Sequence, residues 1–156
     1  MTDFRIRPLD ASTLATVRAQ GRDVSDTPVE QVVATGGEPV RCCLRNAVPG
    51  EELILFGYEP RLPKQSPYRE IGAVYAHASS CDADAEYAQY PSDWMPRAQV
   101  LRAYDERGWI HPATTVHDGT DPVTALERVL AEPGVVEVHS RNIDYGCFMF
   151  SATRSA

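Results

Sequence analysis

Seven or eight short apolar runs, most alternating with period two and separated by proline- and glycine-bearing turns, dominate this sequence. Only two segments carry a helical period. In the first, Asp10 or Ser12 caps a helix bearing Leu14 and Val17, which Gly21 ends. In the second, Thr120 or Asp121 supplies the cap and Pro122 the first turn. Val123, Leu126, Val129 and Leu130 then form one apolar stripe, closed by Pro133-Gly134. Strands are expected at residues 4–7, 40–45, 53–58, 71–77, 99–105, 109–117, 135–140 and 147–153. The turn at Val48-Pro49-Gly50-Glu51 is expected to make a hairpin of the runs at 40–45 and 53–58. Strict βαβ alternation is missing. The pattern predicts an α+β single domain over residues 1–156, with a mostly antiparallel, curled or barrel-like sheet of seven to eight strands and two helices.

The chain has 156 residues, long enough to bury a sizeable core without disulfides or a structural metal. Its formal charge of −7 disfavours nucleic acid as a partner, because such binding relies on clustered Lys and Arg. The acidity is concentrated late. Residues 1–78 hold nine basic and ten acidic side chains, residues 79–156 six and twelve. Residues 79–96 form a long loop with Asp82, Asp84, Glu86 and Asp93 and no basic residue. No apolar run approaches the roughly 20 residues needed to cross a bilayer, and Met1–Arg5 lacks the features of a secretory signal. A cytoplasmic location is therefore expected, with no membrane partner and with Cys42, Cys43, Cys81 and Cys147 as thiols. Cys42 and Cys43, adjacent in an expected strand, would point to opposite faces and make a poor metal pair.

Splitting each run by parity selects candidate functional residues. One face of the strand at residue 40 carries Arg41, Cys43 and Arg45. At residue 71 the polar face carries Tyr75 and His77, near residue 102 Arg102 and Tyr104, and at residue 135 Glu137 and His139. If these faces coincide, they form one cationic and aromatic wall suited to a small anion; otherwise each faces water separately. Tyr68 and Arg69, in the proline-rich segment before residue 71, are placed to close over such a pocket.

Other chemistry is weaker. His111 and His117 share a strand face at a separation of roughly 20 Å, too far for one ion, and neither C-x-x-C nor H-x-x-x-H occurs. A zinc site would need His77, His139 and a carboxylate such as Glu137, so no metal and no cofactor is expected. Asp82, Asp84 and Glu86 open like a calcium loop, but Tyr87 stands where that loop needs glycine. Cys147 with His139 is a thiolate–imidazole pair in prospect across the last hairpin. Trp94, Met95 and Pro96 read as a packing anchor.

Several segments occur in a characteristic order: Pro39 through Glu51, Ser66-Pro67-Tyr68, Leu101 through Asp105, and Asn142 with Gly146-Cys147. The set resembles the bacterial family designated domain of unknown function twelve-oh-three, across nearly the whole chain. The chain departs from that pattern at Val40, where the family has cysteine, and at Arg141, where it tends to have histidine. The resemblance implies a one-domain cytoplasmic protein and carries no activity with it.

The resulting expectation is a binding domain for a small carboxylate or phosphate metabolite, with Arg41, Tyr68, Arg69, His77, Arg102, Tyr104 and Asn142 as ligand-binding residues. His139 and Cys147 are the catalytic candidates in its enzymatic version. The alternative is a non-catalytic interaction domain that uses the acidic aromatic loop to contact a protein partner or to form a homodimer.

Overall fold

The computed structural model describes residues 3–81 and 83–155. Ten strands fall into two five-stranded sheets, where the sequence pattern predicts one curled or barrel-like sheet. The first sheet contains β1 (Phe4–Arg7), β7 (Gln99–Tyr104), β8 (Thr115–His117), β9 (Glu137–Asn142) and β10 (Phe148–Arg154), in the order β1-β10-β9-β7-β8, all antiparallel. The second contains β2 (Glu30–Val33), β3 (Pro39–Val40), β4 (Arg45–Asn46), β5 (Glu52–Tyr58) and β6 (Gly72–His77), in the order β2-β5-β6-β3-β4. Within it β3 runs parallel to β6.

Two helices complete the α+β fold. The helix α1 (Ala11–Gln20) is capped by the Asp10 carboxylate, which accepts from the Thr13 amide, and it ends at Gly21, whose φ of 66° suits glycine. The helix α2 (Pro122–Ala131) has Asp121 as its cap and Pro122 at its first position, as the sequence predicts. Each sheet has its own apolar cluster. On the first, Leu126, Val129 and Leu130 of α2 pack with Ile6, Leu101, Val138 and Phe150. On the second, Leu14 and Val17 of α1 join Val40, Leu53, Phe56 and Val74.

Several expected elements differ. The 40–45 strand is a turn: residues 41–44 connect β3 to β4, the Leu44 amide donates to the Val40 carbonyl at 2.9 Å, and Leu44 takes a φ of 58°. The hairpin of 40–45 with 53–58 does not form, because β5 pairs with β2 and β6 instead. The 109–117 strand shrinks to three residues, with an isolated bridge from Ile110 to Tyr104. The strand β2 was not visible in the pattern, because three of its four side chains are exposed.

The acidic loop is anchored rather than free. Ile6 and Tyr87 exchange backbone hydrogen bonds at 2.8 and 2.7 Å. Tyr90 and Trp94 are buried, and Trp94 stacks on Phe150 with ring centroids 6.5 Å apart. The Trp94 indole donates to Asn46 at 3.0 Å, and the Asn46 amide donates to Asp93 at 2.9 Å. The packing-anchor reading of Trp94 fits this placement, and Tyr90 and Trp94 are withdrawn from any partner surface.

Candidate metal centre

The turn at 41–44 changes what the adjacent cysteines can do. Strand alternation no longer applies, and both thiols reach toward the end of β6, which is held alongside β3. The Arg41 amide donates to the Tyr75 carbonyl at 2.9 Å, fixing that register. The last residue of β6 is His77, and Cys81 follows four residues later in the loop. The Sγ atoms of Cys42, Cys43 and Cys81 and a ring nitrogen of His77 all lie within 4.8 Å of one another.

The Cys42 and Cys81 sulfurs are 3.1 Å apart, and His77 Nδ1 lies 3.5 Å from Cys42 Sγ and 3.8 Å from Cys43 Sγ. In a tetrahedral zinc site with Zn–S of about 2.3 Å and Zn–N of about 2.0 Å, donor atoms stand roughly 3.5–3.8 Å apart. The two His77 contacts match that spacing, while the Cys42–Cys81 pair is tighter and the four donors spread to no more than 4.8 Å. Hydrogen bonding from Cys42 favours the thiolate at Cys43, while that same bond and burial hold the Cys42 proton on. Burial pushes the Cys81 thiol up to about 11.

A second layer of charge orients the imidazole. His77 Nε2 is 2.9 Å from the Glu51 carboxylate and 3.2 Å from Arg45 Nη2; in the tautomer protonated at Nε2, Glu51 accepts from the ring N–H and Nδ1 turns its lone pair toward the sulfurs. Glu51 is fixed in turn by a two-pronged Arg45 guanidinium at 3.0 and 2.9 Å and by the Val48 amide at 2.7 Å. The Arg45 guanidinium beside Glu51 holds its carboxyl down at about 2. From α1, Arg18 donates twice to the His77 carbonyl, at 3.1 and 3.0 Å. An open cavity of about 450 Å³ adjoins the cluster, lined by Cys43, Arg45, Glu51, His77 and Cys81 among others. A groove of about 550 Å³ reaches Cys42 and Cys81 alongside Leu14 and Arg18.

The residues expected to form one anionic-ligand wall separate into groups. Arg102 lies opposite His139, and Tyr104 opposite Glu137, in the β7–β9 register, so these four share one face of the first sheet. His77 belongs to the other sheet. Arg41 is buried between the two, donating to the Phe148 carbonyl at 2.8 Å and to the Pro39 carbonyl at 2.6 Å. Arg102 is ion-paired with Glu70 at 2.5 Å, and Arg141 reaches the same carboxylate at 3.2 Å.

Arg69 donates to the Ser66 carbonyl, Tyr68 packs edge-on against Trp109, and Asn142 accepts from Arg97. The catalytic candidates do not meet. Cys147 lies opposite Asn142, whose amide donates to its carbonyl, while His139 Nε2 is 2.6 Å from Glu137. His77 and His139 sit in different sheets, so the zinc set that combines them with Glu137 is not assembled. Of the calcium-like residues, Asp82 lies outside the described residues and Glu86 pairs with Arg5 and Arg7.

Arg102 holds the Glu70 carboxyl below the usual range. The contribution of this pair to stability is therefore complete above the ordinary carboxylate pKa and fades as pH falls through the lowered value. Glu70→Gln is expected to flatten that acid limb in a pH series of thermal melts, with an effect of at most about 1 kcal/mol because the pair is half exposed.

Sequence reasoning missed the cluster because it set Cys42 and Cys43 on opposite faces. A legible signal was present in the spacing His77-Ala78-Ser79-Ser80-Cys81, a histidine and a cysteine four apart at the end of a strand.

Residues 37–154 match the model of the family described as Protein of unknown function (DUF1203), and the chain belongs to that family. The match spans all four donor residues as well as Arg45 and Glu51. No curated protein and no solved structure matches the chain.

Proposed function

We propose that this DUF1203-family chain is a metal-binding domain that holds one zinc ion through the thiolates of Cys42, Cys43 and Cys81 and Nδ1 of His77. The observation that carries the reading is the convergence of four soft or borderline donors within 4.8 Å. Zinc suits such a set because it accepts three sulfurs and a nitrogen in tetrahedral geometry. Three thiolates and a dication leave one net negative charge, which Arg45 and Arg18 are placed to balance. Four protein donors complete a tetrahedron, so the ion's role is to clip the 41–44 turn, the end of β6 and the start of the acidic loop together.

Cobalt(II) titration of the reduced protein tests this. An intense tetrahedral visible spectrum with thiolate charge-transfer bands is expected, saturating at one ion per chain. A weak octahedral spectrum would overturn the reading. Glu51→Gln removes the carboxylate that orients His77 and is expected to weaken zinc about 10–100-fold in a competition titration, with the coordination spectrum unchanged.

A second reading has one observation in its favour. The polar face of the first sheet opens onto a cleft of about 270 Å³ bounded by Arg7, Tyr58, Arg61, His139 and Ser151, and there a small carboxylate or phosphate metabolite would find its donors. Its anchors are Arg7, paired with Glu86 at 3.2 Å, and Arg61, loosely paired with Asp10 at 3.6 Å, which are more exposed than Arg102 and the buried Arg41. A thermal-shift screen with citrate and inorganic phosphate tests it: stabilisation lost in Arg61→Ala supports the site, and an unmoved melting temperature rejects it.

A further inference from the structure

We propose that Cys42 and Cys81 are a peroxide-sensitive modification site whose oxidation ejects the bound ion. The inference rests on the zinc reading above. Its geometric basis is the relation of the two sulfurs to solvent and to each other. Cys81 is half-buried and borders both the open cavity and the groove beside α1, so a small oxidant reaches it from solvent. Cys42 is buried, with its sulfur 3.1 Å from that of Cys81. A disulfide needs those sulfurs to close by about 1 Å. The two residues lie in a turn and a loop, where such an adjustment does not break a strand.

The chemistry balances with hydrogen peroxide as oxidant. The Cys81 sulfur attacks one peroxide oxygen; the S–O bond forms, the O–O bond breaks, and the leaving hydroxide takes a proton to become water. The Cys42 sulfur then attacks the Cys81 sulfenic acid; the S–S bond forms, the S–O bond breaks, and a second water leaves. Two thiols lose two electrons and peroxide gains them. Where the thiols had been metal-bound thiolates, solvent supplies the two protons. Only Cys43 and His77 then remain as donors, half of a tetrahedral set, and the ion dissociates.

The full-length zinc-loaded protein, freed of reductant, is treated with hydrogen peroxide at a few equivalents. Released zinc is read with a chromogenic chelator, free thiols are counted, and linked peptides are sequenced by mass spectrometry. Trypsin leaves Cys42 and Cys43 in one peptide, so fragmentation must assign the link. Expected are one zinc and two thiols lost per chain, a Cys42–Cys81 link, and recovery of zinc binding after dithiothreitol. Cys81→Ser should abolish the link, also in metal-free protein, while Cys147→Ser, outside the cluster, should leave it unchanged.

Zinc that stays bound after thiol oxidation, or a link confined to Cys42 and Cys43, would overturn this proposal and leave the zinc site standing. Failure to load zinc at all would remove both. The same link in metal-free wild type, at whatever rate it forms, supports the assignment of the reacting pair.

Discussion

Zinc is expected to raise the melting temperature of the reduced protein by about 8–16 °C when its free concentration is a thousandfold above the dissociation constant. Binding to the folded state alone contributes about 4 kcal/mol at that ratio, and a chain of this size gains about 2–4 °C per kcal/mol. Cys42→Ser should remove nearly all of the shift. Its sulfur is the most buried of the three thiols and contacts both Cys81 Sγ and His77 Nδ1, so no neighbouring group replaces it.

Structural zinc sites bind with apparent energies on the order of 10–16 kcal/mol. The loss of one donor of four is expected to weaken binding by roughly a thousandfold or more, measured by chelator competition. His77→Ala should behave likewise. A Cys147→Ser control should retain the full shift, because Cys147 lies outside the cluster. A zinc-induced shift that survives Cys42→Ser and His77→Ala together would place the ion elsewhere.

The second large effect concerns Arg41, which joins the two sheets. Its Nε donates to the carbonyl of Phe148 at the start of β10, and its Nη1 to that of Pro39 at the start of β3. Burial lowers its pKa to about 10, so the guanidinium remains charged at neutral pH. Arg41→Met keeps much of the side-chain volume and removes every donor. Each orphaned acceptor costs about 1–3 kcal/mol, so a loss of roughly 3 kcal/mol is expected, or about 6–12 °C in the melting temperature.

Arg41→Lys should recover only part of that, because one ammonium lacks the fork that spans two divergent carbonyls. Urea unfolding monitored by tryptophan fluorescence measures both variants. An Arg41→Met variant as stable as the wild type would show that the carbonyls find other partners, and that Arg41 does not hold the sheets together. This role also explains why Arg41 is no ligand anchor: its charge is committed to the backbone.

The sequence reveals elements whose signals are local and hides those set by distant pairing. The helix α2 is legible because its cap Asp121, Pro122 and the Val123–Leu130 stripe are contiguous in the sequence. The strand β5 was legible from its apolar run, but its neighbours were not. They are chosen by β2, an exposed edge with little pattern of its own, and by β6, whose partner on the other side is the two-residue β3. The alternation of Val40, Cys42 and Leu44 misled for a physical reason. All three are buried, and a tight turn that drives its apolar side chains inward reproduces the spacing of a strand.

The site suffered from the same error. With Cys42 and Cys43 assigned to opposite faces, the remaining donors, His77 and Cys81, had no partner within reach. Parity sets Arg102 with Tyr104 and Glu137 with His139, but only the β7–β9 pairing joins the two sets on one face. Its neutralisation by Glu70 was not legible, because that carboxylate arrives from the proline-rich segment some 30 residues away.

Zinc content per chain bears most directly on the central claim. The reduced full-length protein, equilibrated by dialysis against a zinc buffer and analysed for metal and protein together, is predicted to retain one zinc per chain. Cys42→Ser and His77→Ala, prepared alongside, should retain none at the same free zinc. A wild-type protein that leaves dialysis without stoichiometric zinc, its three clustered thiols shown to be reduced, would contradict the assignment.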